Sequence, residues 1–134
     1  MAYRFSFDPH KRILRGQIEG KVTGEELKAF YEAARQFAAE ISPRAAIADF
    51  TGVTAFDFGR DTLLELAKFD PVLSDPHLTR VILAPSAEGF GLARIFQHEI
   101  ENTRPNVHVV HKLSEACAIL GVDRPEFKAI RSGQ

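Results

Sequence analysis

The stretch AAIADFTGVTAFDFGRDTLLEL, Ala45–Leu66, decides the fold class. Ala45–Phe50 is short and apolar, as a central strand buried on both faces would be. A turn follows. A helix then runs from about Arg60 to Phe69, with Leu63, Leu66 and Ala67 inward, and Asp70-Pro71 stops it. Asp49, Asp57 and Asp61 fall within this stretch. Asp57 is placed to cap the helix, where its carboxylate would accept backbone N–H groups at the positive end of the dipole, a contribution of about 1 kcal/mol. Asp61 adds to the same effect, and Asp49 at a strand end can bond loop N–H groups. This structural account stands ahead of a catalytic carboxylate pair, which would need a cleft and shifted pKa values.

Upstream, YRFSFD (Tyr3–Asp8) alternates and places Tyr3, Phe5 and Phe7 on one strand face. DPHKR is a turn, and ILRGQIEGKV (Ile13–Val22) completes a hairpin. Thr23 and Glu26 have capping-box spacing. Leu27, Phe30, Tyr31, Ala34, Phe37, Ala38 and Ile41 then form the apolar face of a helix ended by Ser42-Pro43. Downstream, RVILAP (Arg80–Pro85) is a second central strand and Gly89–Asn102 a third helix. VHVV (Val107–Val110) is a fifth strand, and Leu113–Leu120 a fourth helix closed by Gly121. The expected order is β-β-α-β-α-β-α-β-α: an α/β domain with a five-stranded mixed sheet and four helices, occupying residues 1–122. Residues 123–134 read as a polar, loosely held tail from which Phe127 and Ile130 can pack back.

The 134 residues suit one domain, and 45% hydrophobic with 26% charged residues is the balance of an ordinary globular protein. A formal net charge of −1 gives no ground for a nucleic-acid or anionic-membrane partner. No apolar run reaches the roughly 20 residues of a membrane helix, and MAYRFSFDPHKR is too charged for a signal peptide, so the cytoplasm is the expected location. Cys117 is the one cysteine, which excludes an internal disulfide. The five histidines match no metal pattern, and no cofactor is expected.

The element order and the stretch DFTGVTAFDFGRDTLLEL together resemble the STAS domain, the module of sulfate transporters and anti-sigma-factor antagonists. Asp49-Phe50-Thr51-Gly52-Val53 matches that family's Asp-apolar-Ser/Thr-Gly-Val stretch, and Asp57 matches the aspartate of its next turn. ILAPSAEGFGLARIFQHEIE and VHVVHKLSEACAILG are similar to the small stand-alone SpoIIAA-like (STAS/SEC14-type) bacterial proteins. The resemblance spans Tyr3 to Gly121. It implies a SpoIIAA-like fold and a non-enzymatic regulatory role, exercised through a partner protein or an apolar, lipid-like small ligand. In the antagonists the residue after the second aspartate is a hydroxyl that a kinase phosphorylates. Here Phe58 stands there, followed by Gly59, so the serine phosphoswitch is expected to be absent.

Two further features bear on function. In APSAEGFGLAR (Ala84–Arg94) a strand end enters a helix, and Ser86, Gly89 and Gly91 could expose N–H groups to an anion. Its spacing is neither of the common phosphate-binding patterns, and the favoured reading is that Ser86 is a plain helix cap and the glycines permit tight packing of helix on strand. An anion-binding module or enzyme using Asp57, Ser86 and Arg94 is the alternative function. The other feature is apolar excess: Phe56, Phe58, Val72, Leu73, Phe90 and Ile95 exceed what a one-sided helical layer covers. They are expected to form one patch or cavity near the helix starts, covered by a ligand or a homodimer contact. The ligand-binding candidates are therefore Phe56, Asp57, Phe58, Leu73, Ser86, Phe90 and Arg94, with no catalytic or metal-binding residue among them.

Overall fold

The computed structural model describes residues 3–130. The chain runs β1 (Tyr3–Asp8), β2 (Ile13–Thr23), α1 (Gly24–Ile41), β3 (Ala45–Asp57), α2 (Arg60–Leu66), β4 (Thr79–Leu83), α3 (Ala87–Ile100), β5 (Val107–Val110), α4 (Leu113–Leu120) and β6 (Lys128–Ile130). One mixed sheet has the order β5-β4-β3-β2-β1-β6. β2, β3, β4 and β5 run parallel to one another, and β1 is antiparallel to both β2 and β6.

Alternation along β2 divides the core. Leu14, Gly16 and Ile18 face α1, where Leu14, Ile18 and Val22 pack with Leu27, Phe30, Leu63 and Leu66. Ile13 faces the other layer, where Ala45, Ile47, Val81, Leu83 and Val110 pack on Ala116 and Leu120 of α4. Three helices thus cover one side of the sheet and α4 the other. Gly16 permits close approach: Phe5 and Phe30 stack above it, ring centroids 5.4 Å apart, and a Cβ there would lie 2.8 Å from both rings.

The capping box forms as its spacing indicates. Thr23 Oγ1 accepts from Glu26 N, and Glu26 Oε1 accepts from Thr23 N, each at 3.2 Å. Ser42 ends α1 in the left-handed region, and Gly121 does the same after α4, φ 70°.

Three expectations are corrected. The sheet has six strands, not five, because part of the tail is ordered: Phe5, Ser6 and Phe7 of β1 pair with Ile130, Ala129 and Lys128. Phe127 and Ile130 both pack against the cores, and Arg15 lies 5.2 Å over the Phe127 ring. The turn expected after Phe50 is instead strand, since β3 continues to Asp57 alongside an equally extended β2, ending in the pair Thr23↔Asp57. Two register shifts, between Gln17/Glu19 and Gly20/Lys21, absorb the mismatch, with Gly20 at φ 78°. Third, Asp57 does not cap α2: Gly59 occupies the N-cap without a side-chain bond, and Asp57 reaches Lys21 Nζ at 3.8 Å. A strand that extends to residue 57 leaves its carboxylate beside β2 rather than over the helix end. Asp49 accepts not from a loop but from a backbone N–H within β3, that of Thr51 at 2.9 Å, and its other oxygen takes Arg15.

Candidate functional site

The parallel register sets Ala46 opposite Arg80 and Ala48 opposite Ile82, on the sheet face beneath α1 and α3. Alanine on a central strand leaves space that larger residues would fill. α1 lies on β2 and α3 on β5, so the gap between the two helices lies over the small residues of β3. A cavity of about 140 Å³ results. An engineered apolar cavity of roughly 150 Å³ accepts benzene.

Its walls are apolar along most of their length. Leu27, Phe30 and Ala34 come from α1, Leu63 and Leu66 from α2, and Leu92, Ala93 and Phe96 from α3. Rings close the side toward the end of β3: Phe50 and Phe56 lie 6.4 Å apart, and Phe56 and Phe58 meet edge to face at 5.9 Å. Gly89 makes room for Phe56, since a Cβ there would lie 2.6 Å from the ring.

The opposite side, at the start of β4, is polar. Arg80 is 9% exposed and Arg104 7%, and with Tyr31 they line the cavity. Arg80 Nη1 donates to Leu78 O at 2.9 Å and Pro76 O at 3.4 Å; Nη2 donates to Leu73 O and to Asp75 O at 3.0 Å. Its Nε is buried without a partner. Arg104 Nη1 donates to Tyr31 Oη at 3.0 Å, and Nη2 to Phe69 O. Tyr31 also holds Phe69 and Phe96 edge to face, at 5.7 and 6.4 Å. Among the described residues, neither guanidinium has a carboxylate within ion-pair distance. Burial pushes the Arg80 pKa down, and the positive charge of Arg104 adds to the effect. Burial raises the Tyr31 hydroxyl, against the opposing pull of Arg104. The arrangement can hold a ligand and orient a negative group.

Phe56 and Phe58 line this cavity, together with Val72. Leu73 is buried, and with Val72 it borders a second hollow beside Arg35, Pro43 and Asp70. Ile95 packs into the α1-side core. Phe90 lies apart, stacked on His111 with ring centroids 4.0 Å apart, so the six apolar residues do not make one patch. Ser86 Oγ accepts from Gly89 N at 3.0 Å and caps α3. Asp57 and Arg94 are both exposed, and Asp57, Ser86 and Arg94 line neither hollow. Tyr31, Arg80 and Arg104 were not singled out from the sequence. One signal was present: in TRVIL, Arg80 shares a strand face with Ile82, an inward position for a charged residue.

No group of three or more potential metal ligands occurs among the described residues. Nor does any helix among them have the length and apolarity to cross a membrane. No protein-family model matches the chain, and no curated protein does. Among solved structures, the anti-sigma factor antagonist SpoIIAA in its unphosphorylated form superposes with a TM-score of 0.58 at 12% sequence identity. The match covers 92% of this chain and 100% of that one. The chain therefore has the SpoIIAA-like fold that its sequence resembles.

Proposed function

We propose that this chain is a non-enzymatic binding protein of the STAS-like type, regulatory in role, which works by holding an apolar small molecule between α1 and α3. One observation carries this: the apolar cavity above Ala46 and Ala48 of the central strand. A core packed to ordinary density leaves few voids larger than a water molecule. Phe58 supports the same function without a phosphoswitch. It stands just before the N-cap of α2, has no oxygen to accept phosphate, and turns its ring to the cavity wall. Thr62, the hydroxyl in the first turn of α2, lies against Gly24. The cytoplasm is the setting we assign.

A homodimer was expected as a cover for apolar excess. That excess is largely housed within the fold: among the described residues Ile119, 40% exposed, is the one large hydrophobic residue at the surface. A small ligand is thus the better-supported partner. Anion binding by Asp57, Ser86 and Arg94 gains no support, because Ser86 is occupied as a cap and Asp57 faces Lys21.

The test uses native mass spectrometry for a co-purified ligand and a thermal-shift titration with 1-octanol, a neutral apolar probe. Binding to the folded state alone raises stability by RT ln(1 + [L]/Kd), about 2.7 kcal/mol at a hundredfold excess over Kd. Ala48→Leu, which fills the cavity floor, is expected to fold and to abolish the shift. An equal shift in wild type and variant would dismiss the cavity as the site.

A further inference from the structure

We infer that the cavity takes a small monocarboxylate with an apolar body, its carboxylate held by Arg80, Arg104 and Tyr31. This rests on the function proposed above and specifies the ligand's chemistry.

The inference starts from an imbalance of charge. Two guanidiniums, 9% and 7% exposed, line one apolar cavity. Buried charges are ordinarily paired, because taking an ion out of water is expensive. Here every acceptor around them is neutral: backbone carbonyls for Arg80, a phenol oxygen and one carbonyl for Arg104. Those bonds satisfy geometry but bring no formal negative charge into contact; Asp75 attracts Arg80 only from beyond ion-pair distance. No described carboxylate completes an ion pair with either.

Donors also remain. Arg80 Nε–H has no acceptor. The fork of Arg104 offers five N–H groups, and two of its nitrogens are engaged. Tyr31 Oη accepts from Arg104, which leaves its own hydrogen free to donate. Donors of this kind suit a carboxylate, for which guanidinium is the preferred partner.

Size narrows the class. About 140 Å³ accommodates an aryl ring or a medium-length acyl chain. The phenylalanines at the other side of the cavity suit a hydrocarbon end. The ligand is therefore a single-headed organic acid of medium chain or aryl type.

Octanoate and 1-octanol separate the possibilities, titrated by calorimetry into wild type, Arg104→Met and Tyr31→Phe, with circular dichroism to establish folding. Octanoate is expected to bind wild type at least tenfold more tightly than octanol. Arg104→Met should remove that preference while octanol binding persists, and Tyr31→Phe should reduce it. The wild-type comparison needs no variant, so a misfolded mutant does not blunt the test. Octanol binding as tightly as octanoate would overturn the inference and leave the apolar cavity standing. Binding of neither probe would overturn both. A preference that survives Arg104→Met and Tyr31→Phe in folded protein would remove those groups as the receptor. Octyl phosphate binding more tightly than octanoate would overturn the assignment to carboxylates.

Discussion

Asp8 is 1% exposed and accepts three backbone N–H groups: His10 and Lys11 at 2.9 Å and Glu126 at 2.7 Å. These bonds, with that from Lys11 the largest influence, hold its carboxyl below the ordinary value of 3.8. A depressed folded-state pKa means that the unfolded chain takes up the proton first. The stabilisation is present above the ordinary value and lost as pH falls through the folded one. Urea midpoints measured from about pH 5 to about pH 3 should fall in the wild type. Asp8→Asn should start lower at neutral pH and fall less steeply; parallel slopes would remove Asp8 from the acid response. Gly16 allows a steric prediction. Its hydrogen faces two stacked rings that a methyl group would meet at 2.8 Å, so Gly16→Ala should cost about 1–3 kcal/mol in a denaturant titration. An unchanged midpoint would show that Phe5 and Phe30 give way. The bonds from His10 and Lys11 are local, but the third Asp8 bond and the rings over Gly16 depend on the fold and were not legible in the sequence. Glu126 lies 118 residues from Asp8.

Elements with local signals were the readable ones. The capping box needs Thr23 and Glu26 alone, and the first helix begins where that spacing places it. Thr23→Ala should lower stability by about 0.5–2 kcal/mol. Asp57→Ala makes the contrasting case. Its partner Lys21 is 3.8 Å away and both side chains are more than half exposed, so the change should stay within about 0.5 kcal/mol. A larger loss from Asp57→Ala than from Thr23→Ala would reverse the assignment of caps. The segment Thr51–Asp57 failed locally because glycine and small residues look like a turn, whereas the length of β2 decides where β3 stops. β6 is three residues long and has no periodicity to read; its existence depends on the open edge of β1.

At the scale of the molecule, the apolar lining of the candidate cavity was legible and its polar lining was not. Phe56, Phe58 and Val72 were marked by excess hydrophobicity around α2, and they reach the cavity. Arg80 and Arg104 are 24 positions apart, and their convergence with Tyr31 follows from the packing of α1 and α3 over one sheet. The terminal strand has a whole-molecule role as well. Cutting the chain after Arg124 removes β6 and the Glu126 bond to Asp8. Amide exchange at Phe5 and Phe7 should then accelerate and the melting temperature should fall, whereas unchanged exchange would mean that β6 protects nothing. During synthesis the same geometry imposes a wait. β1 emerges early, yet Ile130, the partner of Phe5, is added 125 residues later. At roughly 5–20 residues per second that interval is on the order of 6–25 s. Once β1 has paired with β2, and until β6 is made, its outer edge lacks a partner strand, and an unpaired edge is a template for pairing with another chain.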